Sequence, residues 1–117
     1  MIKKKANKTD LLKYEEITKE YDQIIMEKET SKKMKIIYNN PDDYNKTLEI
    51  ESTDDDMVEV RTKVIHLKSK FSDYIRLTFN MPKTVANYNV SVIVKNKTNN
   101  EIEEILKFPI QVVDKLN

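Results

Sequence analysis

The sequence predicts a mainly β chain: an antiparallel β-sandwich of about six to seven strands preceded by one N-terminal amphipathic α-helix. Three observations carry this. Apolar residues alternate with polar ones in short runs from Met34 to Val113. Clusters of Asn, Asp and Pro separate those runs. Upstream, Leu11, Tyr14, Ile17, Tyr21, Ile24 and Ile25 recur at three- and four-residue spacing instead. Side chains of a strand point alternately to opposite faces, whereas helical neighbours fall three and four apart, so the two rhythms predict two kinds of element.

Residues 1–8 carry Lys3, Lys4, Lys5 and Lys8 and are expected to form a flexible basic tail. Thr9 or Asp10 can cap a helix over residues 9–30. Its apolar stripe is Leu11, Tyr14, Ile17, Tyr21 and Ile24, with Glu15, Glu16, Lys19, Glu20, Asp22 and Glu27 on the opposite face. Such a stripe docks either on the domain's own sheet or on a protein partner, a second copy included. The sandwich domain is predicted over residues 34–113.

Its first strand, Met34–Tyr38, places Met34, Ile36 and Tyr38 on one face. Asn39-Asn40-Pro41-Asp42-Asp43 ends it, because Pro lacks an N–H and Asn and Asp bond their own backbone. Thr47–Ser52 follows, with Leu48 and Ile50 inward and Glu49 and Glu51 outward. Met57–Leu67 reads as a long strand in which Val58, Val60 and Val64 share a face with Thr62 and His66. Ile65 and Leu67 then move to the other face, which marks a bulge or a passage from one sheet to another. Phe71–Phe79 turns Ile75, Leu77 and Phe79 inward, and Pro82 closes it. The last two runs, Tyr88–Val94 and Ile102–Val113, form a hairpin across Asn96-Lys97-Thr98-Asn99-Asn100, where Asn supplies left-handed backbone. Glu104 interrupts the apolar face of the final run. Pro109 places that strand at an edge or turns its nitrogen to solvent.

Composition narrows the function classes. The 117 residues suffice for one domain, with 38% apolar and 35% charged residues and a formal net charge of +1. That balance gives no whole-molecule attraction to nucleic acid or anionic lipid. The excess of Lys over Arg, with abundant Asn and Ile, reads as the imprint of an AT-rich genome. Four Asn-x-Ser/Thr sequons, at Asn7, Asn45, Asn89 and Asn96, follow from the same composition and are not read as glycosylation. Without Cys there is no disulfide framework or thiolate nucleophile, and without Gly no phosphate-cradling Gly-rich loop. No apolar run approaches the roughly 20 residues that cross a bilayer as a helix. As written, the chain reads as cytoplasmic, or as extracytoplasmic if an anchor or signal has been removed.

The segment from Tyr74 to Val94, in which Asn80-Met81-Pro82 forms a corner and Tyr88 opens the penultimate strand, resembles the closing half of immunoglobulin-like and fibronectin-like domains. Those families carry Gly just before the aromatic, where this chain has Asn87. The resemblance spans residues 57–113 and implies a sandwich, with no activity attached. A second stretch, Tyr14-Glu-Glu-Ile-Thr-Lys-Glu-Tyr21-Asp-Gln-Ile-Ile, is similar to the helix that follows the membrane anchor in FixH-type cytochrome oxidase assembly proteins. It implies the soluble part of a membrane-complex assembly factor, although the anchor and the family's late Gly and Trp residues are missing here.

No residue pattern builds a catalytic centre. His66 is the single His, too few for a typical zinc site and unaccompanied by a recognisable triad. Asp54, Asp55 and Asp56, with Asp42, Asp43 or Glu51, offer hard oxygens for Ca²⁺, but acidic turn tips are normally solvated. Lys3, Lys4, Lys5 and Lys8, or the cluster Lys32, Lys33 and Lys35, offer cations to phosphates, and Tyr38, Tyr44, Phe71 and Tyr74 offer rings to a single-stranded nucleic acid. The expectation is a non-enzymatic protein-binding or assembly module with no cofactor and no small-molecule substrate. It would act through an open sheet edge or through the helical stripe.

Overall fold

The computed structural model describes residues 14–116, and the predicted basic tail and Leu11 lie outside that range. The described residues form nine strands: β1 (Thr18–Glu20), β2 (Ile24–Glu27), β3 (Ser31–Asn39), β4 (Lys46–Ser52), β5 (Val58–Val60), β6 (Val64–Leu67), β7 (Ser72–Asn80), β8 (Ala86–Asn96) and β9 (Ile102–Val113). They form two sheets. The larger runs β1-β9-β8-β4-β6, with β2 also on β9, and the smaller runs β3-β7-β5.

The β8–β9 hairpin is the spine of the larger sheet, paired from Ala86 opposite Val112 to Lys95 opposite Ile102. Val90, Val92 and Val94 alternate inward against Leu106, Phe108, Ile110 and Val112, all buried. At the turn Asn100 takes φ 60° and its N–H donates to the Asn96 carbonyl at 2.8 Å, so the Asn-rich stretch supplies the left-handed residue expected of it. The facing layer comes from Ile75, Leu77 and Phe79 of β7 and from Val58 and Val60 of β5. Burying each such side chain contributes about 1.5–3 kcal/mol, and Phe79 meets Phe108 edge-on across the sheets with ring centroids 5.4 Å apart. Tyr88 closes the corner after β7 by donating its hydroxyl to the Thr84 carbonyl.

The run read as one strand over Met57–Leu67 is divided between the sheets. β5 pairs with β7 and β6 pairs with β4. The change of face between Val60 and Ile65 is therefore the passage from one layer to the other, one of the two readings its pattern allowed.

The amphipathic helix over residues 9–30 is not formed within the described residues. Helix there is confined to Tyr14–Glu16, and the next residues are β1 and β2, both parallel to β9. Register explains the misreading. Glu20 lies opposite Lys107 and Ile24 opposite Ile110, so the upstream segment advances four residues while β9 advances three. One inserted residue shifts strand parity, and Tyr21 and Ile24 come to lie three apart, as in a helix, although both face the core. An uncovered β9 edge would also leave its N–H and C=O groups unpaired, a cost that outweighs weak local helix propensity. Odd-numbered residues of β9 turn their polar backbone toward this side: Ile105 N–H donates to Ile17, and the Lys107 carbonyl accepts from Tyr21. Pro109, which has no N–H to give, falls at the break between β1 and β2.

Candidate functional site

The outer face of the smaller sheet brings four cations together, Lys33, Lys35, Arg61 and Arg76. In β3 the residues opposite in parity to Met34, Ile36 and Tyr38 are Lys33, Lys35 and Ile37. Their partners on β7 are Thr78, Arg76 and Tyr74. On the far side of β7, Glu59 pairs with Thr78, and Arg61 N–H donates to the Arg76 carbonyl at 2.8 Å. The face is thus three rows deep: Lys33–Thr78–Glu59, then Lys35–Arg76–Arg61, then Ile37–Tyr74. Both arginines of the chain stand in the middle row.

Lys33, Lys35, Arg61, Arg76 and Thr78 line a groove of about 510 Å³. The Lys35 ammonium lies 4.7 Å from the Tyr74 ring centroid and the Arg76 guanidinium 5.9 Å, so one ring steadies two cations. Arg61 has a carboxylate, Glu59, at 3.9 Å. Among the described residues, Lys33, Lys35 and Arg76 have none within ion-pair distance. Thr78 is 9% exposed, and its hydroxyl has no hydrogen-bond partner among the described residues. Beside the groove runs β3, nine residues long and, among the described residues, paired with β7 alone. Ile37 is 58% exposed and Phe71, just before β7, 62%. Exposed apolar side chains beside an open strand edge are an unusual combination on a monomer surface.

The other sequence-predicted positions fall elsewhere. Tyr14 is exposed, and Ile17 is half-buried beside β9. Tyr21 stacks on Phe108 with centroids 4.7 Å apart, and Ile24 packs on the core. The stripe therefore serves the domain's own interior at its inner end. Asp54 accepts from the Met57 N–H and Asp55 from the Val60 N–H, both ordering the turn before β5. Among the described residues, no group of three or more His, Asp or Glu side chains is arranged to hold a metal ion. His66 is exposed on β6, with Nδ1 3.1 Å from the Thr47 hydroxyl.

One end of the sandwich is closed by polar groups. Lys46 is buried, with its ammonium 2.5 Å from both Asp42 and Glu103. Hydrogen bonding to Lys46 holds the Asp42 carboxyl below its ordinary range. Burial raises Glu104, the polar interruption on the inward face of β9, and Lys19 opposes that shift. Burial, reinforced by Glu104, also raises the Tyr38 hydroxyl. The buried Asn40 spans the neighbouring loops: its amide donates to the carbonyls of Tyr44, Leu67 and Lys68, and its Oδ1 accepts from Asp42 N–H. Lys46, Asp42, Glu103 and Asn40 already have partners within the fold, which makes this end a structural plug.

Lys33, Lys35 and Tyr74 were legible as candidates from composition. Arg61, Arg76 and Thr78 were not, because their place beside the lysines depends on the β3–β7–β5 register. Two arginines at outward strand positions are the one signal that pointed there.

No protein-family model and no curated protein sequence matches this chain. Solved structures do. The chain is similar to SSP-19, an MSP-domain protein like family member in Caenorhabditis elegans, with TM-score 0.58 and 8% identity over 78% of this chain and 94% of that one. It is similar to the ASH/PapD-like domain 7 of human CEP192, with TM-score 0.58 and 10% identity over 86% and 83%. A family 123 glycoside hydrolase from Clostridium perfringens aligns with TM-score 0.66 and 10% identity over 90% of this chain but 25% of the enzyme. The fold is an immunoglobulin-like β-sandwich of the kind seen in MSP and PapD-like domains. None of these likenesses singles out FixH-type proteins, and the helix that carried that resemblance is replaced by β1 and β2.

Proposed function

We propose that this chain is a non-catalytic protein-binding module that takes an extended segment of a partner along β3 and over the outer face of the smaller sheet. The observation behind this is the nine-residue β3 edge, left open among the described residues, with Lys33, Lys35 and Ile37 at successive outward positions. An added strand satisfies edge N–H and C=O groups, and its alternate side chains then lie beside those three residues. Lysines on an edge also discourage indiscriminate strand pairing, so this edge favours a segment with acidic side chains. MSP and PapD-like neighbours support the sandwich as scaffold, and the face itself supports the binding role.

Site-specific photocrosslinking tests it. A photoreactive residue in place of Ile37 or Tyr74 is expected to capture a protein partner in cells, whereas one in place of Gln111, on the larger sheet, is not. Equal capture from both sheets, or none from β3 and β7, refutes the assignment. Single-stranded nucleic acid is a second reading, favoured by the half-exposed Tyr74 ring beside two cations. It demands a mobility shift that weakens steeply with salt.

A further inference from the structure

We propose that the groove is a phosphate-binding site that takes a phosphorylated side chain of the partner segment, an inference resting on the binding-module reading above. Lys35 and Arg76 are directly paired across β3 and β7, and Arg61 follows in the same row. Like charges directly opposite one another in a sheet repel, with Cβ atoms about 5 Å apart. An anion seated among them converts that repulsion into attraction. Lys33 adds a fourth cation from the next row, where Glu59 is the one acidic side chain.

Supply of donors decides between carboxylate and phosphate. A carboxylate carries one charge and two oxygens, whereas a phosphorylated residue carries about −1.5 to −2 and three acceptor oxygens. Two guanidinium forks, two ammonium groups and a hydroxyl exceed what a carboxylate accepts and match a phosphate. The Thr78 hydroxyl is the second, independent sign. It belongs to a side chain nine-tenths buried and lining the groove, and it has no partner among the described residues. The hydroxyl is covered in the free chain, with Lys33 and Glu59 as its cross-strand neighbours, so ligand binding requires a side chain above it to move. A groove of about 510 Å³ also holds more than a free ion, with room for the residue that bears the phosphate.

The test is an amide chemical-shift titration of the full chain with three blocked alanine-based heptapeptides whose central residue is phosphoserine, glutamate or serine, and with an oligothymidylate. The phosphoserine peptide is expected to shift the amides of residues 33–35, 61 and 76–78 and to bind at least tenfold tighter than the glutamate peptide. Thr78→Val, which removes an unpartnered hydroxyl at nearly constant shape, should keep the fold and weaken phosphopeptide binding about tenfold. Arg76→Gln should weaken it at least as much, and Lys107→Gln on the larger sheet should leave it unchanged. Equal affinity for the phosphoserine and glutamate peptides overturns the phosphate site while leaving the docking face standing. Tighter oligothymidylate binding at the same amides, unaffected by Thr78→Val, overturns it in favour of nucleic acid. Phosphopeptide binding untouched by both Thr78→Val and Arg76→Gln places the anion elsewhere. No shift with any ligand refutes the groove and the binding face together.

Discussion

Replacing Tyr21 distinguishes a strand that completes the sandwich from a helix that could be detached from it. The ring stacks on Phe108 at 4.7 Å with 8° between planes, and Phe108 is fully buried. Truncating a fully buried aromatic to Ala costs about 3–5 kcal/mol. Tyr21 is half-buried, so its ring is worth about 3 kcal/mol on the same scale. Its hydroxyl is buried beside the Lys19 side chain and makes no hydrogen bond of good geometry among the described residues, so deleting it returns about 1 kcal/mol. Tyr21→Ala should therefore destabilise by about 2 kcal/mol, and Tyr21→Phe should stabilise by about 1. At this chain length these correspond to a melting midpoint lower by about 8 °C and higher by about 4 °C. A double-mutant cycle with Phe108→Leu should show about 1 kcal/mol of coupling from the aromatic pair. Urea denaturation followed by circular dichroism measures all three. Tyr21→Ala that leaves the urea midpoint unmoved, or a cycle with no coupling, refutes the placement of residues 18–27 on β9.

Three further outcomes follow from the structure. Asn40→Ala strands the loop carbonyls of Tyr44, Leu67 and Lys68 and should cost about 2–4 kcal/mol in urea denaturation. Glu29 holds φ 58° in a chain without Gly, so Glu29→Gly should raise stability by about 1 kcal/mol, read as a higher melting midpoint. Burial raises the folded-state pKa of Glu104 above its ordinary value of 4.5, so its contribution is most favourable below that value and is lost as pH rises through the folded pKa. Glu104→Gln should accordingly be more stable than the parent at pH 7, with the gap closing toward pH 4. A urea midpoint difference that grows on acidification contradicts this.

The acid response of the chain combines opposing signs. Lys46 lowers the pKa of Asp42, and Lys28 lowers that of Asp114. Both contributions are present above the unfolded carboxyl pKa and disappear as pH falls through the lower folded values. Glu104 acts oppositely, which spreads the acid dependence over a wider interval than any one group would.

Strand composition and facing were legible in the amino-acid order wherever one sheet face is buried and the other wet. Leu48 and Ile50, then Ile75, Leu77 and Phe79, then Val90, Val92 and Val94 all face inward as alternation demanded, because a one-residue slip would place each set in water. The Asn-rich hairpin turn was legible for a similarly local reason, the cost of left-handed backbone in other residues. Residues 18–27 were not, since one extra residue between β1 and β2 turns a two-residue rhythm into three-residue spacing. Only pairing with β9 decides between the two. The candidate site is likewise tertiary. Lys33 and Lys35 stand 26 or more positions from Arg61 in the chain, and their joint field exists because β7 lies between β3 and β5 and holds Arg76 and Thr78 on the same outer face. Alternation is a property of one strand, whereas a charged face is a property of the register among three.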